Sequence, residues 1–174
     1  MITIVVGTNR QNSVSTKVAE YYKTILKEKG AESQIVDLVK LPGNFLSTAL
    51  YENNGSNSLV NEMREKVQSS DKVVFIVAEY NGSFPGVLKA FIDALKYPEG
   101  LKDKKGAMIG ISSGVQGGVF GMSHLTDILN YLGMNVLALK PKLAGIESNF
   151  ADGKVTNNFY NQLLKDQAEK FLAF

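Results

Sequence analysis

The chain contains no cysteine, no tryptophan, one histidine and four prolines in 174 residues. Without cysteine there is no disulfide framework, thiolate nucleophile, thiolate-held zinc or cysteine-ligated iron–sulfur cluster. One imidazole, His124, leaves a metal site to carboxylates alone and a Ser-His-Asp triad to that single ring. Neither charge dominates: 19 basic against 17 acidic residues give a formal net charge of +2. No basic run of the kind that grips nucleic acid is present. Long apolar runs are missing as well. The first, Ile2 to Val6, stops at Gly7 and is too short for a signal-peptide core or a membrane span. The expectations are a cytoplasmic address and neither nucleic acid nor membrane as partner.

What is present is 44% hydrophobic content, in a length that suits one α/β domain over residues 1–174. Ile2 to Val6 is a β-branched run, as expected of a central strand buried on both faces of a parallel sheet. Val18, Tyr21, Ile25 and Leu26 recur at helical spacing through Glu28, with Gly30 where a helix C-terminal cap stands. Ser33 to Leu38 reads as a second strand. A long loop with Pro42, Gly43 and the run Asn53 to Ser56 follows, then a helix from about Ser58 to Gln68. Lys72 to Val77 is the most apolar strand, Pro85 opens a helix to about Lys96, and Ala107 to Ser112 is a fourth strand. A helix over His124 to Leu132, a fifth strand over Asn135 to Leu139 and a helix over Asn158 to Phe171 complete the chain. Five alternations of strand and helix predict a three-layer parallel sandwich of strand order 2-1-3-4-5, with the ligand beyond the carboxyl ends of strands 1, 3 and 4.

The loops at those three ends carry the polar residues. The first, Gly7 to Thr16, brings Thr8, Arg10, Ser13, Ser15 and Thr16 to a helix N-terminus. Free N–H groups, hydroxyls and a guanidinium there favour a phosphate dianion. The spacing is neither GxGxxG nor GxxxxGK[ST], so a monophosphate fits better than a dinucleotide or triphosphate. An ordinary polar turn with a serine N-cap is the plainer alternative. The second, Ala78 to Lys89, holds Glu79, Tyr80, Asn81, Gly82 and Ser83. Tyr80 and Phe84 offer flat apolar surface to a ring, unless Phe84 is core and Glu79 a solvated charge. The third, Ser112 to Gly121, holds Ser112, Ser113, Gly114, Gly117 and Gly118. Its N–H groups suit a ring carbonyl, and a merely flexible surface loop is the alternative.

Taken in order, these motifs resemble the NADPH-dependent FMN reductase family, which includes bacterial chromate, quinone and azo-dye reductases of the flavodoxin-like fold. The family's G-S-x-R-x-x-S-x-N/S pattern is matched by Gly7, Thr8, Arg10, Ser13 and Ser15, with threonine for the first serine. Its P-E-Y-N-x-S-x-P-G-x-L-K-N-A-I-D signature is matched by Glu79, Tyr80, Asn81, Ser83, Pro85, Gly86, Leu88, Lys89, Ile92 and Asp93. Ala78 stands where the family has proline, and Phe91 where it has a small residue. S-x-G-x-x-G-G is matched by Ser112, Gly114, Gly117 and Gly118. The resemblance implies FMN with its phosphate on the first loop and its ring edge against the Glu79–Ser83 and Ser112–Gly118 loops. It implies NAD(P)H as co-substrate, hydride passing to flavin N5 and on to a small acceptor such as a flavin, quinone, chromate or azo compound. No catalytic acid or base is then required, and His124 reads as a capping or packing residue. The resemblance also implies a homodimer or homotetramer, with Lys40 to Asn57 at the interface or as a lid. A flavodoxin-type electron carrier is the rival. Flavodoxins resemble one another in an S/T-x-T-G-x-T phosphate loop and strong acidity, against which stand Arg10 and the slightly basic balance. A regulatory module without turnover is a second rival, suggested only by Ala78.

Overall fold

The computed structural model describes residues 1–174. Five parallel strands carry the expected order. β1 (Ile2–Val6) lies between β2 (Ser33–Asp37) and β3 (Lys72–Ala78), and β3 pairs on its other side with β4 (Lys105–Ile111). The fifth strand differs from expectation. It is split into β5 (Asn135–Val136), paired with the start of β4, and β6 (Lys142–Leu143), paired with its end. Between them the chain leaves the ladder, and a side chain from the last helix fills the gap. Buried Gln167 donates from Nε2 to the carbonyls of Met108 and Leu139, both at 2.8 Å. A short antiparallel hairpin, β7 (Phe150–Ala151) with β8 (Lys154–Val155), was not foreseen.

The helices are α1 (Val14–Glu28), α2 (Phe45–Thr48), α3 (Ser58–Gln68), α4 (Gly86–Asp93), α5 (Val119–Tyr131) and α6 (Asn158–Ala173). Alternate residues of the central strands point to opposite faces of a sheet, and the core divides accordingly. Ile4, Val6, Val74 and Ile76 pack with Val18, Tyr22 and Leu26 of α1 and with Leu164 and Phe171 of α6. Val5, Val73, Phe75 and Val77 pack with Met63, Val67, Leu88, Phe91, Leu125 and Leu129 of α3, α4 and α5. Strands covered on both faces have no room for polar alternation, which is why β1 and β3 are nearly unbroken apolar runs. A third, smaller core forms where Phe45, Ala49 and Leu50 pack on Val60 and Ala94, so the long segment after β2 folds back against α3 and α4.

α4 ends three residues short of the expected Lys96, and α5 begins five residues before His124. Pro85 caps α4 from just outside it. With every strand of the main sheet parallel, the loops after β1, β3 and β4 emerge together at one edge.

Candidate functional site

The loop after β1 is shaped by its own hydroxyls. Thr8 is buried, and its Oγ1 accepts the N–H of Arg10 at 3.2 Å. Ser13 is the N-cap of α1: its Oγ accepts from the N–H of Thr16 at 3.1 Å. Thr16 in turn donates its hydroxyl to Asp37 Oδ2 at 2.9 Å, which fastens the loop to the end of β2. The N–H groups of Gln11 and Asn12 find no acceptor within the chain. Together with the open first turn of α1 they leave a donor-lined, positively polarised hollow.

After β3 the chain makes a two-residue turn. Tyr80 and Ser83 exchange both backbone hydrogen bonds, at 2.8 and 3.0 Å. Asn81 and Gly82 occupy positive φ, 50° and 72°, as a primed turn demands. Three side chains then lock this turn to its neighbours. The Tyr80 hydroxyl shares a hydrogen bond with Thr8 Oγ1 at 2.7 Å, joining the first loop to the second. Glu79 Oε2 accepts the N–H of Gly118 at 3.1 Å, joining the second to the third at the start of α5. Ser83 Oγ lies 3.0 Å from His124 Nδ1. Gly121 lets α5 come this close, because a Cβ there would stand 2.9 Å from the Ser83 carbonyl carbon.

After β4, Ser112 organises the loop by donating to the Gly114 carbonyl at 2.7 Å and accepting the Gly117 N–H at 2.8 Å. Gly118 sits at φ 75° with backbone of β4 3.0 Å from where its Cβ would be, so only glycine fits. The N–H groups of Ser113 and Gly114 are left without acceptors. Ser113 donates its hydroxyl to Glu147 Oε1 at 2.7 Å. That hydrogen bond, then Glu147's own backbone N–H, then the charge of Arg10, hold the Glu147 carboxyl below its ordinary range.

These walls enclose an open cleft of about 340 Å³. Of the residues expected from sequence, Thr8, Arg10, Ser13, Ser15, Glu79, Tyr80, Ser112 and Ser113 line it. Thr16, Gly117 and Gly118 stand behind the wall and shape the loops, while Asn81, Gly82, Ser83 and Gly114 lie outside the lining. Ala78 lines the cleft at the end of β3. Ile146 and Glu147, which sequence reasoning did not single out, line it too. They arrive through backbone bonds from Gly145 N–H to the Gly114 carbonyl and from Ile146 N–H to the Ser112 carbonyl. A larger hollow, about 700 Å³ beside α5 and α6, takes only Val119 from the three loops. The cleft can therefore take an elongated ligand with an anion at one end and a flat polar-edged group at the other. No cluster of side chains suited to a metal ion is present.

The family model for NADPH-dependent FMN reductase matches residues 1–141. A quinone reductase of Pseudomonas putida is 29% identical, the match covering 99% of this chain and 93% of that protein. The flavoenzyme NAD(P)H:(acceptor) oxidoreductase of Paracoccus denitrificans superposes with a TM-score of 0.77 at 26% identity, covering 99% of this chain and 94% of that one. An apo NADH:FMN oxidoreductase shares the fold with a TM-score of 0.82 at 21% identity, covering 99% and 89%.

Proposed function

This chain belongs to the NADPH-dependent FMN reductase family, and from that membership we propose that it is an FMN-dependent NAD(P)H oxidoreductase delivering electrons to a small acceptor such as a quinone. The observation that carries the reading is the convergence of three loops on one cleft, each leaving polar groups free to face a ligand.

The residues present fit a flavin mononucleotide. Arg10, the unpartnered N–H groups of Gln11 and Asn12 and the α1 N-terminus supply charge and donors for a phosphate. Ser13 and Thr8 hold that loop in place by hydrogen bonds that need no ligand. Tyr80, tied through its hydroxyl to Thr8, lines the cleft where the first and second loops meet. The free N–H groups of Ser113 and Gly114 supply donors for a ring carbonyl and for the negative charge that reduction adds. FMN, when bound, supplies the hydride relay between reduced nicotinamide and acceptor. The chain's part is to hold the ring in a fixed orientation, keep one face open to both substrates in turn and stabilise added charge with backbone donors. No side-chain acid or base is needed for that.

Residues 1–174 act as one domain in this reading, in the cytoplasm, and no helix is long and apolar enough to cross a membrane. A homo-oligomer is also proposed. Tyr51, Tyr97 and Tyr131 are 86%, 70% and 80% exposed around one apolar hollow floored by Ile92, Leu95, Leu101 and Leu132, a concentration of exposed aromatic surface typical of an interface. The test of the reading is titration of the purified chain with FMN, followed by NADPH and NADH oxidation with a quinone as acceptor. Saturable FMN binding and flavin-dependent turnover are expected. Flavin binding without turnover would assign an electron carrier, and no binding would overturn the cofactor.

A further inference from the structure

Glu147 lies outside the segment that the family model matches, which ends at residue 141, yet it lines the cleft. It comes from the short turn Ile146–Asn149 after β6, held against the third loop by the Gly145 and Ile146 backbone bonds. Its carboxylate takes the Ser113 hydroxyl at 2.7 Å on one wall and lies within the field of Arg10 on the other. It therefore shares one cleft with Arg10 of the proposed phosphate end and Ser113 of the proposed ring end.

A carboxylate can only accept hydrogen bonds. Of the parts of a flavin mononucleotide, the phosphate has nothing to donate to it and would be repelled, which leaves the imide N–H of the ring and the hydroxyls of the polyol. The polyol that joins phosphate to ring carries hydroxyl donors, and it must cross the middle of the cleft. The Ser113 hydroxyl, whose hydrogen is committed to Glu147, is left with lone pairs for the same hydroxyls. We propose that Glu147 is a cofactor-positioning residue: with Ser113 it forms an acceptor pair for the ribityl hydroxyls. The proposal rests on the flavin reading above and assigns that cofactor a contact from outside the three loops.

Flavin affinity, rather than turnover, tests it. FMN and riboflavin share the polyol and differ in the phosphate, while lumiflavin keeps the ring and lacks the polyol, so each is titrated by fluorescence quenching into the wild-type chain, Glu147→Gln and Glu147→Ala. A loss for lumiflavin as large as for riboflavin would place the contact on the ring and overturn the proposal. Glu147 is exposed, so neither change disturbs the core. A lost charge-assisted hydrogen bond weakens binding by about tenfold or more. The expected result is a loss of that size with Glu147→Ala, by the same factor for FMN and riboflavin, and a smaller parallel loss with Glu147→Gln, which keeps one acceptor oxygen. Unchanged affinities overturn the proposal. So does FMN binding that tightens while riboflavin binding stays constant, which would make the carboxylate an opponent of the phosphate. A wild-type chain that takes up neither flavin overturns the cofactor reading and this contact with it, whereas a wild-type chain that binds both isolates the failure to Glu147.

Discussion

Arg10 is the one basic side chain on the cleft, so the affinity for a phosphorylated ligand should depend on it out of proportion to its size. Replacing it with alanine removes a charge-assisted contact of about 1.5–3 kcal/mol. Arg10→Ala should therefore weaken FMN roughly ten- to hundredfold while leaving riboflavin nearly unchanged. Equal losses for the two flavins would mean that Arg10 shapes the loop instead of holding a phosphate. At this scale the sequence was legible where function depends on residue type at a loop position: Thr8, Arg10, Ser13, Tyr80 and Ser113 all reach the cleft. It was less legible where one polar group meets another. Glu79 reads as a polar edge for a ligand, but its carboxylate is engaged by the Gly118 N–H. Thr16 reads as a phosphate ligand, but its hydroxyl is engaged by Asp37. Glu147 gave no local signal, because it meets Ser113 only after the chain has passed through α5 and returned along β6.

Among the elements, the fifth strand separates what periodicity can and cannot tell. The run Asn135 to Leu139 has the apolar character of a strand, and its first two residues pair with β4 as one. Pro141 has no N–H to give a ladder, and the pairing resumes only at Lys142. The gap is closed by Gln167 of α6, a long-range partnership that no window of sequence displays. Its Nε2 satisfies the buried Met108 carbonyl and the partly buried Leu139 carbonyl, a buried one costing about 1–3 kcal/mol if left bare. Gln167→Leu keeps the volume and removes both donors. Because Gln167 Oε1 is buried without a partner, leucine also relieves a cost, and a net drop in unfolding free energy of about 1–3 kcal/mol is expected by urea denaturation; no drop would show that the split strand does not need this bridge. The other strands and the order of the helices were readable because buried parallel strands leave long apolar runs, and because glycine, proline and capping serine mark the turns between them.

For the whole molecule, strand order follows from counting alternations, and the position of the site follows from strand order: parallel strands put their carboxyl ends, and so their loops, on one edge. What does not follow is which outer surface meets another copy of the chain. Lys40 to Asn57 was the segment expected at an interface or over the site. The structure packs Phe45, Ala49 and Leu50 inward and leaves Tyr51 exposed beside Tyr97 and Tyr131. These tyrosines come from three distant stretches, so their shared hollow is visible only in the folded chain. If that face is the contact between copies, Tyr131→Asp should shift the mass measured by light scattering toward the monomer without disturbing flavin binding. An unchanged oligomer would move the interface elsewhere.

The central claim is that this cleft holds a flavin that accepts hydride from reduced nicotinamide and hands it on. Its most direct test is anaerobic addition of NADPH, and separately NADH, to the FMN-loaded protein while the visible flavin band is watched, followed by a quinone. The account predicts loss of the band with at least one nucleotide, return of the band on adding quinone, and repetition of the cycle. A loaded protein whose band is untouched by either nucleotide would contradict it.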